Sequence, residues 1–245
     1  MQKQYYVRLP LKKAYNVRDL GGYPTLSGGV TSWHKFLRAD NLSGIEQADI
    51  SFLKNYGVSA VIDLRSEDEI LAFPNPFSAA IGVSYENIPL MNLSIHDILK
   101  SIGDNPSAFL PAYYLSLIEN SQTAIKEIFE FFAKHENGCT LYHCTAGKDR
   151  TGIISVLLLW LADVGRFDII SNYEATYTNL RYNTGFLEVA APYPKDVVYS
   201  RAEYIEPVMD YLQNEYGGSE GYLESIGVSK TDILKVKNKL TGSFF

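Results

Sequence analysis

Residues 143–152, His-Cys-Thr-Ala-Gly-Lys-Asp-Arg-Thr-Gly, leave this chain few ways to fold. They join a strand-like run, Cys139 to Tyr142, to an apolar run from Ile153 to Ala162. A cysteine therefore stands at the carboxyl end of a strand, and a tight loop returns the chain into a helix N-terminus. Successive N–H groups in such a loop form an anion nest. The helix start adds unpaired donors and partial positive charge. Arg150, six residues after Cys144, can fold back and grip two oxygens of a tetrahedral anion with its planar fork. The same field stabilises a thiolate, so Cys144 is expected to be nucleophilic at neutral or mildly acidic pH. The plain alternative is a buried, inert cysteine ahead of a core helix. His143, Gly147, Arg150 and Thr151 at matching offsets argue against it.

Cys-x5-Arg-Thr preceded by His is the signature of cysteine-dependent phosphatases. The longer run resembles the atypical bacterial protein-tyrosine and phosphoinositide phosphatases, whose loop reads His-Cys-x-Ala-Gly-Lys-Asp-Arg-Thr-Gly. A second stretch, Asn16-Val17-Arg18-Asp19-Leu20-Gly21-Gly22, is a turn by local chemistry alone. The same pattern stands near the N-terminus of that group and shapes the edge of its active site. The resemblance implies a tyrosine-phosphatase-like fold and phosphomonoester hydrolysis through a phosphocysteine, with no cofactor and no metal. Cys144 would attack phosphorus. Arg150 and the loop amides of Thr145, Ala146, Gly147 and Lys148 would hold the equatorial oxygens. His143 would orient the loop, Thr151 would donate to the departing sulfur, and Arg18 and Asp19 would support the loop.

Many tyrosine phosphatases draw their general acid from a Trp-Pro-Asp loop. Here neither Trp33 nor Trp160 precedes Pro-Asp. The resembled group implies the loop aspartate, Asp149, with a structural ion pair as its competing role. Asp63 and Asp97 are the alternatives. Asp63-Leu64-Arg65 ends a β-branched run, and ligands bind beyond the carboxyl ends of strands in open α/β sheets. Asp63 and Arg65 are therefore candidates for binding substrate, or else form an ion pair beside a helix capped by Ser66. Lys148 is either a solvated loop charge or a second cation at the phosphate mouth. The second reading favours doubly phosphorylated or inositol-based substrates. The expected substrates are phosphotyrosine, phosphoserine or phosphothreonine proteins, and phosphoinositides. An inositol polyphosphate phosphatase of phytase type, a sulfurtransferase and a catalytically dead phosphate-binding adaptor compete with this reading. Intact Cys144, Arg150 and Thr151 weigh against the adaptor.

The 245 residues suit one domain over 1–245, with 46% hydrophobic and 20% charged residues. A net charge of −6 and a pI near 5.3 argue against a nucleic-acid partner. Cys139 and Cys144, the only cysteines, lie about 16 Å apart if they share one strand, too far for a disulfide. No run reaches the ~20 apolar residues of a membrane span, so membrane contact is expected only at the periphery, through a lipid substrate. Met1 to Leu11 lacks an apolar signal core. A cytoplasmic monomer is expected, with a secreted form lacking its signal peptide as the alternative.

Along the chain, strands are expected at Tyr5–Leu9, Trp33–Arg38, Val58–Leu64 and Ser84–Leu90. Gly28-Gly29 marks a hairpin. Ser43 with Glu46 reads as a capping box for a helix ending at Gly57. Helices are expected at 95–102 and 108–118, and over Ile125 to Phe132 at helical spacing. Strands alternating with helices predict an α/β fold with a mostly parallel central sheet flanked by helices. After Asp168 strand signals vanish and tyrosines crowd in, with Arg181, Lys195 and Arg201 among them. This helical C-terminal part is expected to form a lid.

Overall fold

The computed structural model describes residues 4–90, 106–191 and 198–242. The expected helix at 95–102, with Asp97, and Lys195 of the expected lid lie outside them. Five strands form one sheet in the order β1-β2-β5-β3-β4: β1 Arg18–Asp19, β2 Phe36–Ala39, β3 Val58–Asp63, β4 Ser84–Asn87 and β5 Cys139–His143. The β1–β2 pair is antiparallel, and every other pair is parallel. The sheet is therefore mostly parallel, as the alternation of elements predicts. Central β5 is flanked by β2 and β3, and Ala39, His143 and Asp63 stand side by side at its carboxyl edge.

Side chains alternate across the sheet with period two. Phe36, Ala60, Ile62 and Tyr142 face a large helical layer. Leu37, Val61, Cys139 and Leu141 face a smaller core closed by the N-terminal segment, helix α1 (Gln47–Tyr56) and Phe77. The other described helices are α2 (Glu67–Ala72), α3 (Pro106–Asn120), α4 (Gln122–Lys134), α5 (Asp149–Leu161), α6 (Arg166–Leu180), α7 (Thr184–Ala190), α8 (Ala202–Tyr216), α9 (Ser219–Ser225) and α10 (Lys230–Thr241). Helix α5 is buried on nearly every side from Thr151 to Leu161 because α6, α3, α9 and α10 enclose it. Each such leucine contributes about 1.5–3 kcal/mol by burial.

Local readings fail where another partner captures a polar group. The expected capping box at Ser43 does not form. Asn41 Oδ1 accepts the Ser43 N–H at 3.0 Å, and the helix starts later, at Gln47. That helix does end at Gly57, in the left-handed region. Tyr5–Leu9 is no strand; its only bridge is Arg8 to Arg18. The β2 strand starts at Phe36 rather than Trp33, because His34 takes a positive φ of 62°. The described helices of the C-terminal part pack into the framework. Among the described residues α8 packs on α3, α6 and α9, and α10 packs on α4 and α5. No described helix is long and apolar enough to cross a membrane.

Candidate active site

Strand β5 delivers Cys144 to the carboxyl edge of the sheet, and residues 145–148 turn the chain into α5. The loop's carbonyls are tied from behind, one after another. The Cys144 carbonyl meets His143 Nδ1 at 3.1 Å. Asn41 N–H donates to the Thr145 carbonyl at 3.0 Å. Asn16 Nδ2 donates to the carbonyls of Ala146 and Gly147 at 3.2 and 3.0 Å, and Arg38 Nη2 donates to Gly147 at 2.7 Å. Every described peptide bond is trans, and in a trans peptide the carbonyl and the following N–H point opposite ways. Each tied carbonyl therefore turns the N–H that follows it, those of Thr145, Ala146, Gly147 and Lys148, away from the carbonyl's own partner. Gly147 permits this course. Its φ is +64°, and a Cβ there would stand 2.5 Å from the Ala39 carbonyl oxygen.

Thr151, in the first turn of α5, donates its hydroxyl to Cys144 Sγ at 3.1 Å. Arg150 is clasped by Glu69 of α2, with Nη1 to Oε2 at 2.6 Å and Nη2 to Oε1 at 2.8 Å. Thr145 Oγ1 also donates to Glu69 Oε1. Glu69 completes a capping box with Ser66 at the start of α2, so one carboxylate both caps that helix and holds Arg150. Burial opposes its charge, but Arg150 outweighs burial and brings the Glu69 carboxyl down to about 2.

Asp149 Oδ1 accepts from the Tyr114 hydroxyl and lies 3.4 Å from Lys148 Nζ. Lys148 is buried, and Nζ donates to the Tyr199 carbonyl at 3.1 Å. Its ammonium is thus drawn inward beside Asp149, away from the position expected of a cation at the mouth.

Below the loop sit two buried arginines. Arg18 and Arg38 face each other across β1 and β2. Arg18 donates to the Asn172 carbonyl and to Thr176 Oγ1. Arg38 donates to Asn172 Oδ1 at 2.6 Å and to Gly147. Among the described residues neither meets a carboxylate within ion-pair distance. Burial lowers the pKa of both, and for Arg18 the neighbouring Arg38 lowers it further. Asn172, Tyr173, Thr176 and Asn179 form one polar face of α6, and Asn179 donates to Asn16 Oδ1. A single helix thereby backs the loop.

The remaining predicted site residues separate into two groups. Asp63, Arg65 and His143 pack on the opposite face of the sheet. Asp63 and Arg65 form a buried pair at 2.7 Å. The remaining Arg65 donors go to Asn41 Oδ1 and the Phe73 carbonyl. Burial disfavours the Asp63 charge, yet hydrogen bonds from Arg65 and His143 hold it far below the usual carboxylate range. His143 Nε2 lies 2.7 Å from Asn75 Nδ2 and 3.2 Å from Asp63 Oδ2. The structure thus places Asp63 and Arg65 behind His143, with their polar atoms engaged there. Asp19 stands away from the loop. Its carboxylate accepts from Gly21 N–H, His34 N–H and the Tyr56 hydroxyl. Of the Asn-x-Arg-Asp stretch, Asn16 is the residue that touches the loop. Asp40 holds Asn16 through its backbone N–H at 2.9 Å, and burial pushes the Asp40 carboxyl up to about 6.

Sequence reasoning passed over Glu69, Asn16, Arg38, Tyr114 and the α6 face. Two of them carry a local signal: Glu69 through the Ser66-x-x-Glu69 capping box, and Asn16 as the first residue of the Asn-x-Arg-Asp stretch.

The model of the tyrosine phosphatase family matches residues 9–242. A tyrosine-protein phosphatase of Nostoc commune is 35% identical over 217 residues, spanning 84% of this chain and 74% of its own. The triple specificity protein phosphatase PtpB of Mycobacterium tuberculosis is 23% identical over 279 aligned residues, spanning 95% and 98%. Among solved structures, TpbA of P. aeruginosa aligns with a TM-score of 0.30 at 13% identity, over 65% of this chain and 87% of its own. The family match runs through both motifs and nearly the whole of the sheet-and-helix framework around them: the chain belongs to the tyrosine phosphatase family.

Proposed function

We propose that the protein hydrolyses phosphomonoesters through a phosphocysteine on Cys144. The observation that carries this is the loop itself. Cys144 opens a loop whose four carbonyls are tied, the Thr151 hydroxyl donates to its Sγ, and Arg150 is held by Glu69 and Thr145 beside it. In the first step Sγ attacks phosphorus, the bond to the leaving oxygen breaks, and Asp149 supplies the proton that oxygen takes. The amides and Arg150 meet the charge spreading over the equatorial oxygens. In the second step water attacks phosphorus, Asp149 receives its proton, and the electron pair of the S–P bond returns to Cys144. Thr151 stabilises the sulfur as it departs.

Phosphotyrosine is the leading substrate, since the family and the Nostoc relative are named for it. Phosphoserine, phosphothreonine and phosphoinositides follow, on the strength of the mycobacterial relative's name and the resembled group. The inward turn of Lys148 weighs against a preference for doubly phosphorylated ligands. The test is phosphate release by wild type and Cys144→Ser with chelator present, from phosphotyrosine and phosphothreonine peptides, phosphoinositides and phytate. Turnover abolished by the serine variant supports the thiolate route, and the ranking assigns the substrate class. Binding of phosphorylated ligands without any release would replace the enzyme with an adaptor.

A further inference from the structure

One hydrogen-bond chain enters the loop from the helical layer and ends on Asp149. Tyr173 of α6 and Tyr114 of α3 are both buried, with hydroxyl oxygens 2.6 Å apart. Their rings meet edge to face at 84°. Gly152 allows this approach, since a Cβ there would press on the Tyr173 ring at 3.3 Å. Tyr114 in turn meets Asp149 Oδ1. A carboxyl oxygen that carries no proton can only accept, so with Tyr114 donating its single proton to Asp149 Oδ1, Tyr173 must donate to Tyr114. Burial first, and then the charge of Asp149, push both phenols well above their ordinary range, so both stay protonated.

The two oxygens of Asp149 are consequently unlike. Oδ1 is held by Tyr114 and faces Lys148. Among the described residues Oδ2 has no partner, and the side chain keeps 26% of its exposure. Tyr113 also feels the Asp149 charge, together with Arg150, Cys144 and Glu69.

We propose that Tyr114, oriented by Tyr173, is a positioning residue that pins Oδ1 and leaves the transferable proton on Oδ2, toward the leaving oxygen. This rests on Asp149 being the general acid. As the Cys144 sulfur bonds to phosphorus, the electron pair of the breaking ester bond stays on the leaving oxygen and takes the Oδ2 proton. Asp149 becomes a carboxylate. The bond from Tyr114 becomes charge-assisted during that transfer, and Tyr173 polarises it further. Its contribution grows with the extent of proton transfer, so it matters most for poor leaving groups.

The experiment compares wild type, Tyr114→Phe, Tyr173→Phe and Asp149→Asn on aryl phosphates of increasing leaving-group basicity, ending with an alkyl phosphate. Alkylation of Cys144 by iodoacetamide reads the nucleophile separately. Tyr114→Phe is expected to lose roughly 10–100-fold in kcat for the poorest leaving group and little for the best. KM and the alkylation rate should stay close to wild type. Tyr173→Phe should lose less in the same direction, and it carries the test alone if Tyr114→Phe fails to fold. An equal loss on every substrate, or none on any, overturns the positioning role. If Asp149→Asn shows a steepening loss while Tyr114→Phe and Tyr173→Phe do not, only the positioning role falls. If Asp149→Asn itself is flat across the series, the general-acid reading falls and takes this proposal with it.

Discussion

Glu69 clasps Arg150 with both carboxylate oxygens, from a six-residue helix that buries none of its own side chains. The grip occupies one N–H of each terminal nitrogen and so fixes the plane of the fork. Glu69→Gln should let that plane turn, lowering kcat/KM at neutral pH about tenfold, or ~1.4 kcal/mol. The pH behaviour follows from a carboxyl held at about 2 when folded against a usual value of 4.5. Its stabilisation is complete above the unfolded value and disappears as pH falls through the folded one. Urea midpoints measured from pH 5 down to pH 2 should show that loss in wild type and a smaller one in Glu69→Gln. Identical profiles would remove Glu69 from the acid response.

Gly147→Ala places a methyl group against the Ala39 carbonyl oxygen at a residue with φ of +64°. The neighbour is backbone in a central strand and cannot yield. A cost of about 1–3 kcal/mol in urea unfolding is expected, together with loss of turnover. An alanine variant as active as wild type would mean that the loop tolerates another course.

Arg38→Met should separate stability from activity. The substitution removes a buried cation that stands opposite Arg18 with no carboxylate near it among the described residues. The hydrogen bonds to Gly147 and Asn172, and a longer one to Thr176 Oγ1, are lost with it. Relief of charge burial and loss of these bonds offset each other, so stability should change by only ~1 kcal/mol. Activity should drop by roughly tenfold, because the Gly147 carbonyl loses the shorter of its two ties and keeps only the bond from Asn16 (~1.4 kcal/mol per factor of ten). Arg38→Lys should not restore it, since one ammonium cannot span both acceptors. Melting temperature and kcat/KM measured on the same preparations decide the matter.

Thr151→Val deletes the hydroxyl on Cys144 Sγ while keeping the shape of the side chain. If that hydroxyl assists the departing sulfur, phosphocysteine breakdown should slow by about tenfold, in line with a hydrogen bond to a charged group. Stopped-flow kinetics should then show a larger burst of released alcohol before the steady state. A slower burst with an unchanged steady rate would assign the hydroxyl to the attacking step.

What could be read from the chain was what lies close together along it. Residues 143–152 are consecutive, so the strand, loop and helix they join were visible as a unit. Asp63-Leu64-Arg65-Ser66 was visible as a strand end, and both its ion pair and the Ser66 cap form as one of its two readings expected. The supports of the loop were not legible, because they come from far away. Asn16 reaches Gly147 across 131 positions, and Arg38 reaches Asn172 across 134. On α6, Asn172, Thr176 and Asn179 carry no local signal, and Tyr173 is one of many tyrosines in that part of the chain. Nothing local says that buried arginines stand opposite. Asp19 misled for the converse reason. It belongs to a phosphatase-like stretch, but β1 runs antiparallel to β2 and carries it away from the carboxyl edge. Ser43 misled because Asn41 Oδ1 accepts the N–H that Glu46 would take in a capping box.

The carbonyl ties behind residues 144–147 also determine when the loop loses its freedom. Ordering a backbone residue costs about 1–2 kcal/mol in entropy, or roughly 4–8 kcal/mol for residues 145–148 on the same basis. Asn16, Asn41 and Arg38 impose that order as the chain folds, whether or not an anion is present. On the proposed function, an arriving phosphoryl group would therefore meet amides that are already still. Little of its binding energy is consumed in arranging them, and more remains for the geometry in which the phosphorus–oxygen bond breaks.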